Sequence, residues 1–380
     1  MKRALFPAAI AAALSFSQQA NAIEMDGFLT AGFAVHDQED TTYLNTITDD
    51  VRFDNDSKFG LQVTADVAEN MQVVSQILAA GSDENFDLDV EWAYLDWKLN
   101  DAFSLRGGKV KEPVFLISDY IEVGYAYPWI RPPQEVYRNN PINTINGMEA
   151  LIQFDIGSMG LTIQPYLGSN SEVVPGQPGL IFDATNFVGA SLQLASRAFT
   201  IQVSFLNTDV GVSGSTGQVD TGSGLPVPFG SEGTATLSSF GISTDVSNFV
   251  AYAEYVTRDI ESDVVSPGPT NPPLDSLFAD QDAWYVTIGY RMGKFLPHLT
   301  VANSEAEPLT SQGANPGVTQ DSITLGVRYE INDSAAFKFE VQSIEPDLEA
   351  GSVGLFDEMP TDFEAGDSAT LISAAVDVIF

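Results

Sequence analysis

The 380-residue chain contains no cysteine, which rules out disulfide staples, thiolate nucleophiles and Cys-based metal sites. Basic residues are scarce as well: 16 Lys and Arg stand against 52 Asp and Glu, a net charge of −36. That balance argues against nucleic acid as a partner, because phosphate binding needs clustered cations. There are two histidines, His36 and His298. No run reaches the roughly eighteen apolar residues of a membrane-spanning helix, yet 44% of the residues are hydrophobic. A chain of this kind is either soluble or a β-barrel.

Both termini carry information. Lys2 and Arg3 precede an apolar stretch from Ala4 to Phe16, and Ala20-Asn21-Ala22 is a small-x-small cleavage site. This predicts a signal peptide over residues 1–22 and a mature chain from Ile23. No cysteine follows the cleavage site, so no lipid anchor is expected. Without Lys2 and Arg3, 14 basic residues face 52 acidic ones, and the mature chain carries −38. At the other end, Thr370, Ile372, Ala374, Val376, Val378 and Phe380 share one parity and finish on an aromatic carboxyl terminus. This ending resembles the C-terminal signal of Gram-negative outer-membrane β-barrels. A buried last strand of a soluble sandwich has the same pattern, and the export signal decides for the barrel.

Period-2 alternation runs from residue 26 to the end, in segments of about ten residues, the length of a tilted membrane-crossing strand. Phe59, Leu61, Val63, Ala65 and Val67 oppose Lys58, Gln62, Thr64 and Asp66; Trp284, Val286, Ile288 and Tyr290 oppose Tyr285, Thr287 and Arg291. Trp92, Tyr94, Trp97, Tyr255 and Tyr290 sit near segment ends, where an interfacial girdle belongs. Short turns, such as Ala68–Asn70, Val246–Asn248 and Asn332–Ser334, alternate with long polar stretches at 37–56, 111–146, 170–184, 210–234, 261–280, 307–319 and 346–366. Short on one side and long on the other predicts periplasmic turns and extracellular loops. The expectation is an all-β fold: a closed antiparallel transmembrane barrel of about sixteen strands over residues 23–380, with Gly/Ser-rich 211–233 as a flexible loop. Neither a plug before the first strand nor a domain after Phe380 is expected, which argues against energy-coupled uptake and peptidoglycan anchoring.

The longest loop, 111–146, follows the fifth strand. In this layout the chain resembles the sixteen-stranded trimeric porins of Gram-negative bacteria, and the segment from Ser118 to Tyr137 is similar to one in porin-type proteins of gamma-proteobacteria. The resemblance implies that the third loop folds inward and narrows the pore. It also implies a homotrimer, to which outward Ala31, Ala251 and Ala253 add a physical hint. Its chemistry fits an inward loop, with Phe115, Tyr120, Ile121, Tyr125, Tyr127, Trp129 and Tyr137 supplying rings that pack on one side and stay wet on the other. A lid over the mouth is the alternative.

Five of the 14 mature basic residues fall between Arg106 and Arg138. The expected constriction comprises Arg106, Lys109, Lys111, Asp119, Glu122, Tyr125, Tyr127, Arg131 and Arg138. The expected pore wall includes Lys58, Asp87, Asp89, Glu91, Arg258, Arg328 and Lys338. Opposed charges across a narrow opening order permeating ions; pairing along the wall is the plainer reading for any single residue. The function expected is passive diffusion of small hydrophilic solutes and ions through an outer-membrane channel, in contact with lipids and lipopolysaccharide. Selectivity for anions such as phosphate or dicarboxylates is the alternative. A barrel enzyme at His298, or an adhesin or receptor, comes behind these, since no catalytic motif surrounds His298. No cofactor is expected. Asp37–Asp40 and Asp54–Asp56 offer oxygen ligands for loop-bound Ca²⁺ or Mg²⁺, without the spacing of a complete calcium loop.

Overall fold

The computed structural model describes residues 23–82, 85–173, 180–219, 226–263, 274, 277–307 and 317–380. The expected signal peptide, residues 1–22, lies outside the described residues. Sixteen strands follow in order: β1 (Ile23–His36), β2 (Lys58–Ala68), β3 (Met71–Ser82), β4 (Asn85–Asn100), β5 (Phe103–Lys111), β6 (Thr144–Ile156), β7 (Met159–Val173) and β8 (Leu180–Ala195). The second half comprises β9 (Phe199–Val219), β10 (Pro226–Val246), β11 (Phe249–Ser262), β12 (Gln281–Tyr290), β13 (Phe295–Ala306), β14 (Gln320–Asn332), β15 (Ala335–Pro346) and β16 (Ala369–Ile379). Each pairs with its sequence neighbours, and β1 pairs antiparallel with β16 to close the barrel. Closure leaves no strand edge, the condition for a sheet in hydrocarbon.

The seam is tied at the last residue. Gly27 N–H donates to the Phe380 carbonyl at 2.8 Å, and Phe380 N–H donates back at 2.9 Å. The exposed Phe380 ring stacks on Phe59. Around the outer wall, Ile288, Leu299, Ile323, Leu325 and Phe339 are exposed, as period-2 alternation requires of a lipid-facing surface. Trp97, Phe249, Tyr290 and Phe295 form the aromatic rim near the short turns.

Three expectations need correction. Stretches 170–184 and 210–234 continue as strand to Val173, from Leu180, to Val219 and from Pro226; 211–233 is largely the β9–β10 hairpin. Their Gly, Ser and Thr content reads as loop, but long antiparallel pairing from Phe199↔Thr244 to Val219↔Pro226 overrides composition. Tyr94 is the second correction. A register irregularity opposite Gln76 and Ile77 breaks the parity of β4 at Glu91, so Tyr94 turns inward against Arg106, whose guanidinium carbon lies 5.1 Å from the ring centre. Trp92, paired directly with inward Gln76, leaves the girdle for the same reason. The third concerns the lumen itself. Ala184, Phe187, Leu206, Leu237, Val256, Ala283, Tyr285 and Ala302 join buried residues of loop 111–146 in one apolar cluster inside the barrel.

Candidate channel and its inner loop

Segment 111–146 folds into the barrel. It makes short 3₁₀ turns at Ser118–Tyr120 and Gly124–Ala126 and a one-turn helix α1 at Gln134–Tyr137. Pro128, Pro132 and Pro133 stiffen the path between them. Backbone groups with no partner inside so irregular a segment must find one elsewhere, and the wall supplies them. Glu254 accepts from the Leu116 N–H at 2.7 Å and from the Tyr137 hydroxyl at 2.8 Å. Glu340 accepts from the Ile130 N–H at 2.9 Å. Lys338 donates to the carbonyls of Gly124 and Trp129 at 2.6 and 2.5 Å. Arg328 donates to those of Tyr125 and Tyr127 at 2.5 and 3.0 Å.

Aromatic residues anchor the loop from the other direction. Trp129 is 1% exposed; its indole N–H meets Thr287 and Thr300 hydroxyls at 2.9 and 3.0 Å. Its ring lies 4.8 Å from Tyr252 and 5.6 Å from Tyr285. Tyr127 is buried too, and its hydroxyl donates to the Ile121 carbonyl at 2.8 Å. It supports the loop and does not face the open lumen.

The expected charges are mostly paired. Arg106 bridges Asp96 and Glu149 at 2.9 and 3.0 Å. Lys109 meets Asp89 at 3.1 Å near the long-loop rim. Lys111 is buried against Glu91, and Lys58 meets Glu122 at 3.2 Å. Burial works to raise the Glu122 carboxyl, but Lys58 and Lys111 outweigh it and hold it below the usual value. Arg131 pairs with Asp56 and donates to Ser373 at 2.5 Å. Arg328 pairs with Glu330 at 2.8 Å, and Lys338 with Asp377 at 2.9 Å. Tyr125 reaches Glu330 at 3.4 Å. Asp87 sits exposed on the outer reach of β4. Arg138 is exposed and, among the described residues, has no ion-pair partner. Among the described residues, Arg258 bonds neutral oxygens: the carbonyls of Asn139 and Ala279 and the Gln281 side chain.

Water-accessible space lies on both sides of the loop. Toward the long loops, a cavity of about 280 Å³ is lined by Asp56, Lys58, Glu122, Arg131, Gln134 and Arg138 among others. Toward the short turns, one of about 370 Å³ holds Asp66, Asp96, Lys98, Arg106 and Gln153. A third, about 130 Å³, lies between Asp119 and Tyr120 of the loop and Gln153, Gln164 and Gln193 of the wall. Leu151 and Gln153 border both of the last two. Arg106 therefore faces a different cavity from Arg131 and Arg138, and one ring holding all three is not what the structure shows.

A barrel of this strand number, with a loop inside it, can be set beside known proteins. A family model described as Gram-negative porin matches residues 7–347. The chain belongs to the Gram-negative porins. It is a channel of the bacterial outer membrane for small solutes. No curated sequence relative matches this porin. Among solved structures it is similar to the outer-membrane protein OmpT of Vibrio cholerae, with 13% identity, TM-score 0.60, and 96% and 99% of the two chains covered. A trimer form of OmpT aligns at 13% identity and TM-score 0.57, covering 95% and 100%. An anion-selective porin from Comamonas acidovorans aligns at 10% identity and TM-score 0.59, covering 95% and 100%. At such identities the likeness is one of fold. Family and fold point to a channel rather than an enzyme.

His298 fits that description. It points inward on β13, is 5% exposed, and neither ring nitrogen has a hydrogen-bond partner among the described residues. Its nearest carboxylate, Glu340, is 3.7 Å away and already accepts from Ile130. The acidic stretches considered for Ca²⁺ or Mg²⁺ have protein partners: Asp37 accepts from Thr370 N–H and Gln38, Asp54 from Arg52, and Asp56 from Arg131. No three carboxylate or histidine groups among the described residues are set to hold a metal.

The internal apolar cluster escaped the sequence reading. Its signal was present in β12, where Ala283, Trp284, Tyr285 and Val286 run without a polar residue. In a membrane-crossing strand such a stretch means apolar surroundings on both sides: the outer, lipid-facing side at Trp284 and Val286, and packed protein inside at Ala283 and Tyr285.

Proposed function

We propose that this porin passes small hydrophilic solutes by passive diffusion with weak charge selectivity, without catalysis, and that it works as a homotrimer. The selectivity is set where the inner loop meets the vestibule under the long loops. The observation that carries this reading is Arg138. Lys58 and Arg131 are neutralised by Glu122 and Asp56, so Arg138 is left as the uncompensated charge of that vestibule. Below it, Asp119 on the loop stands across from the wall that bears Arg106, and solutes are sorted between them. The mature charge of −38 attracts cations to the mouth, and Arg138 opposes that bias locally. The trimer form of OmpT supports the assembly.

Selectivity for anions has two observations in its favour: three cations against two carboxylates in the vestibule, and the likeness to an anion-selective porin. Bilayer recording under a KCl gradient tests both. We expect conductance steps in threes, a weak preference in wild type, and a shift of reversal potential toward cations in Arg138→Ala. The shift should be largest in dilute salt, where screening is weakest. A strong anion preference that Arg138→Ala abolishes supports the second reading. A silent membrane, or a variant with wild-type selectivity, overturns the assignment.

A further inference from the structure

Two rows of uncharged polar side chains cross the inner face of the barrel from β6 to β9. In the first, Gln153 stands opposite Thr162, Thr162 opposite Gln193, and Gln193 opposite Gln202. In the second, Gln164 stands opposite Ser191, and Ser191 opposite Ser204. The β9 end of each row is taken by the inner loop: Gln202 Nε2 donates to the Phe115 carbonyl at 3.0 Å, and the Ser204 hydroxyl to that of Val114 at 2.6 Å. The other end is open. Among the described residues, the side chains of Gln153, Thr162 and Ser191 have no hydrogen-bond partner, although Ser191 is 4% exposed. Gln164 and Gln193 use only their amide nitrogens, toward Glu149 at 2.7 Å and Gln202 at 3.1 Å.

These open groups line the cavity of about 130 Å³ that Asp119 and Tyr120 face from the loop. The vestibule above and the cavity below carry five and six charged side chains, whereas this slot carries Asp119 alone. The cations that act on Asp119 are Arg106 and Lys111. Arg106 is already paired with Asp96 and Glu149, and Lys111 with Glu91. An anion in the slot therefore meets a carboxylate and, among the described residues, no unpaired cation.

Amides and hydroxyls both donate and accept, and so do the hydroxyls of a polyol. At roughly 10–15 Å³ for each water, the slot has room for several waters on its wall. A solute that displaces them binds well only if it remakes their hydrogen bonds. One chain bearing several hydroxyls does this while a single molecule is immobilised. Leu151 and Gln153 also border the cavity of about 370 Å³ below, so a chain longer than the slot extends downward.

We propose that this amide and hydroxyl wall is a binding station for linear uncharged polyols in transit. It rests on the diffusion reading above and adds a solute class to it. Uptake of labelled xylitol into proteoliposomes, followed against concentration, tests the idea. Xylitol uptake should saturate. Glycine betaine, small, net neutral and without an O–H or N–H, should enter linearly. At low concentration it should be slower by about fivefold or more, the equivalent of one net hydrogen bond.

Gln153→Leu, Thr162→Val and Ser191→Ala combined remove the open groups without touching the side chains that hold the loop. This variant should lose saturation while KCl conductance changes little. Its folding is checked by heat-dependent gel mobility; if it does not fold, the near-isosteric Thr162→Val and the wild-type comparison of the two solutes decide. Linear xylitol uptake, equal entry of glycine betaine, or saturation that survives the open-group substitutions overturns the proposal. So does saturation that depends on Asp119 alone, lost in Asp119→Asn but kept in the combined variant. A channel that conducts KCl yet passes xylitol without saturation leaves the diffusion reading standing, whereas a silent membrane overturns both.

Discussion

The inner loop rests on two walls built in opposite ways. Against β8–β13 it buries Phe115, Trp129, Val136 and Tyr137 among apolar side chains. Against β14–β16 and β2, charged side chains grip its backbone or pair with its own charges. The apolar wall supplies mostly attraction without direction, and its directed contacts come from polar side chains set among the apolar ones, such as Glu254, Ser204 and the Thr287–Thr300 pair. The charged wall supplies direction, because a carbonyl that faces Lys338 or Arg328 has few other places to go. Cations scarce in the chain as a whole are thus spent largely on holding the loop. Concentration of Arg and Lys around a pore loop, read from sequence, therefore indicates fixation before it indicates solute contact.

The largest expected effect breaks the charged wall. Lys338 and Asp377 are both almost wholly buried and 2.9 Å apart, and Lys338 also holds two loop carbonyls. Lys338→Met strands a buried carboxylate, which costs about 3–5 kcal/mol. The temperature at which the folded band disappears on gels should drop sharply, and conductance should rise as the loop leaves the lumen. Adding Asp377→Asn should restore part of the stability but not the loop. A single variant with wild-type melting and conductance would show that the wall does not hold the loop.

Next comes the apolar wall. Trp129→Phe keeps much of the ring but leaves the Thr287 and Thr300 hydroxyls without their indole donor. Those hydroxyls are 2.7 Å apart and can satisfy each other, so we expect a loss of about 1–2 kcal/mol with noisier open-channel current. If Trp129→Phe lowers stability more than Lys338→Met does, the roles of the two walls are reversed.

The smallest effect sharpens the comparison at the loop's root. Glu112 is 2% exposed, with Asn140 as its hydrogen-bond donor at 2.8 Å, and burial pushes its carboxyl up to about 8. An acid with a raised folded pKa binds its proton more tightly folded than unfolded. Stability therefore falls as pH rises from about 4.5 toward 8, with no penalty below that window. Glu112→Gln keeps an acceptor for Asn140, so it should raise the melting temperature at pH 9 and leave it unchanged at pH 4. An equal gain at both pH values would assign the effect to packing instead.

Much of this architecture was legible in the sequence because a barrel repeats one rule. Alternation at Phe59–Val67 or Trp284–Tyr290 states which side faces lipid, and short turns such as Val246–Asn248 state which end is which. The strand count and the inward loop followed. What was not legible depends on contacts between distant segments. Glu91 shifts the parity of β4 only because of its pairing with β3, and Tyr94 moves inward as a result. Tyr127 and Tyr125 look alike in sequence, yet burial separates them. Arg131 and Arg138 are seven residues apart in one loop; Asp56, far away in sequence, neutralises the first and leaves the second free.

The Gly27–Phe380 seam also bears on the order of assembly. Fifteen of the sixteen strand pairings join neighbours along the chain, whereas β1 and β16 meet across a separation such as the 347 residues between Thr30 and Asp377. Local hairpins carry little loop-closure cost, while the seam carries nearly all of it. Fifteen strands can zip in sequence, but the cylinder exists only once the last residues arrive. Until then β1 and the growing end are open edges in a solvent that cannot hydrogen-bond them. The final dozen residues thus act as a latch, and their loss would leave a curved sheet rather than a slightly smaller pore.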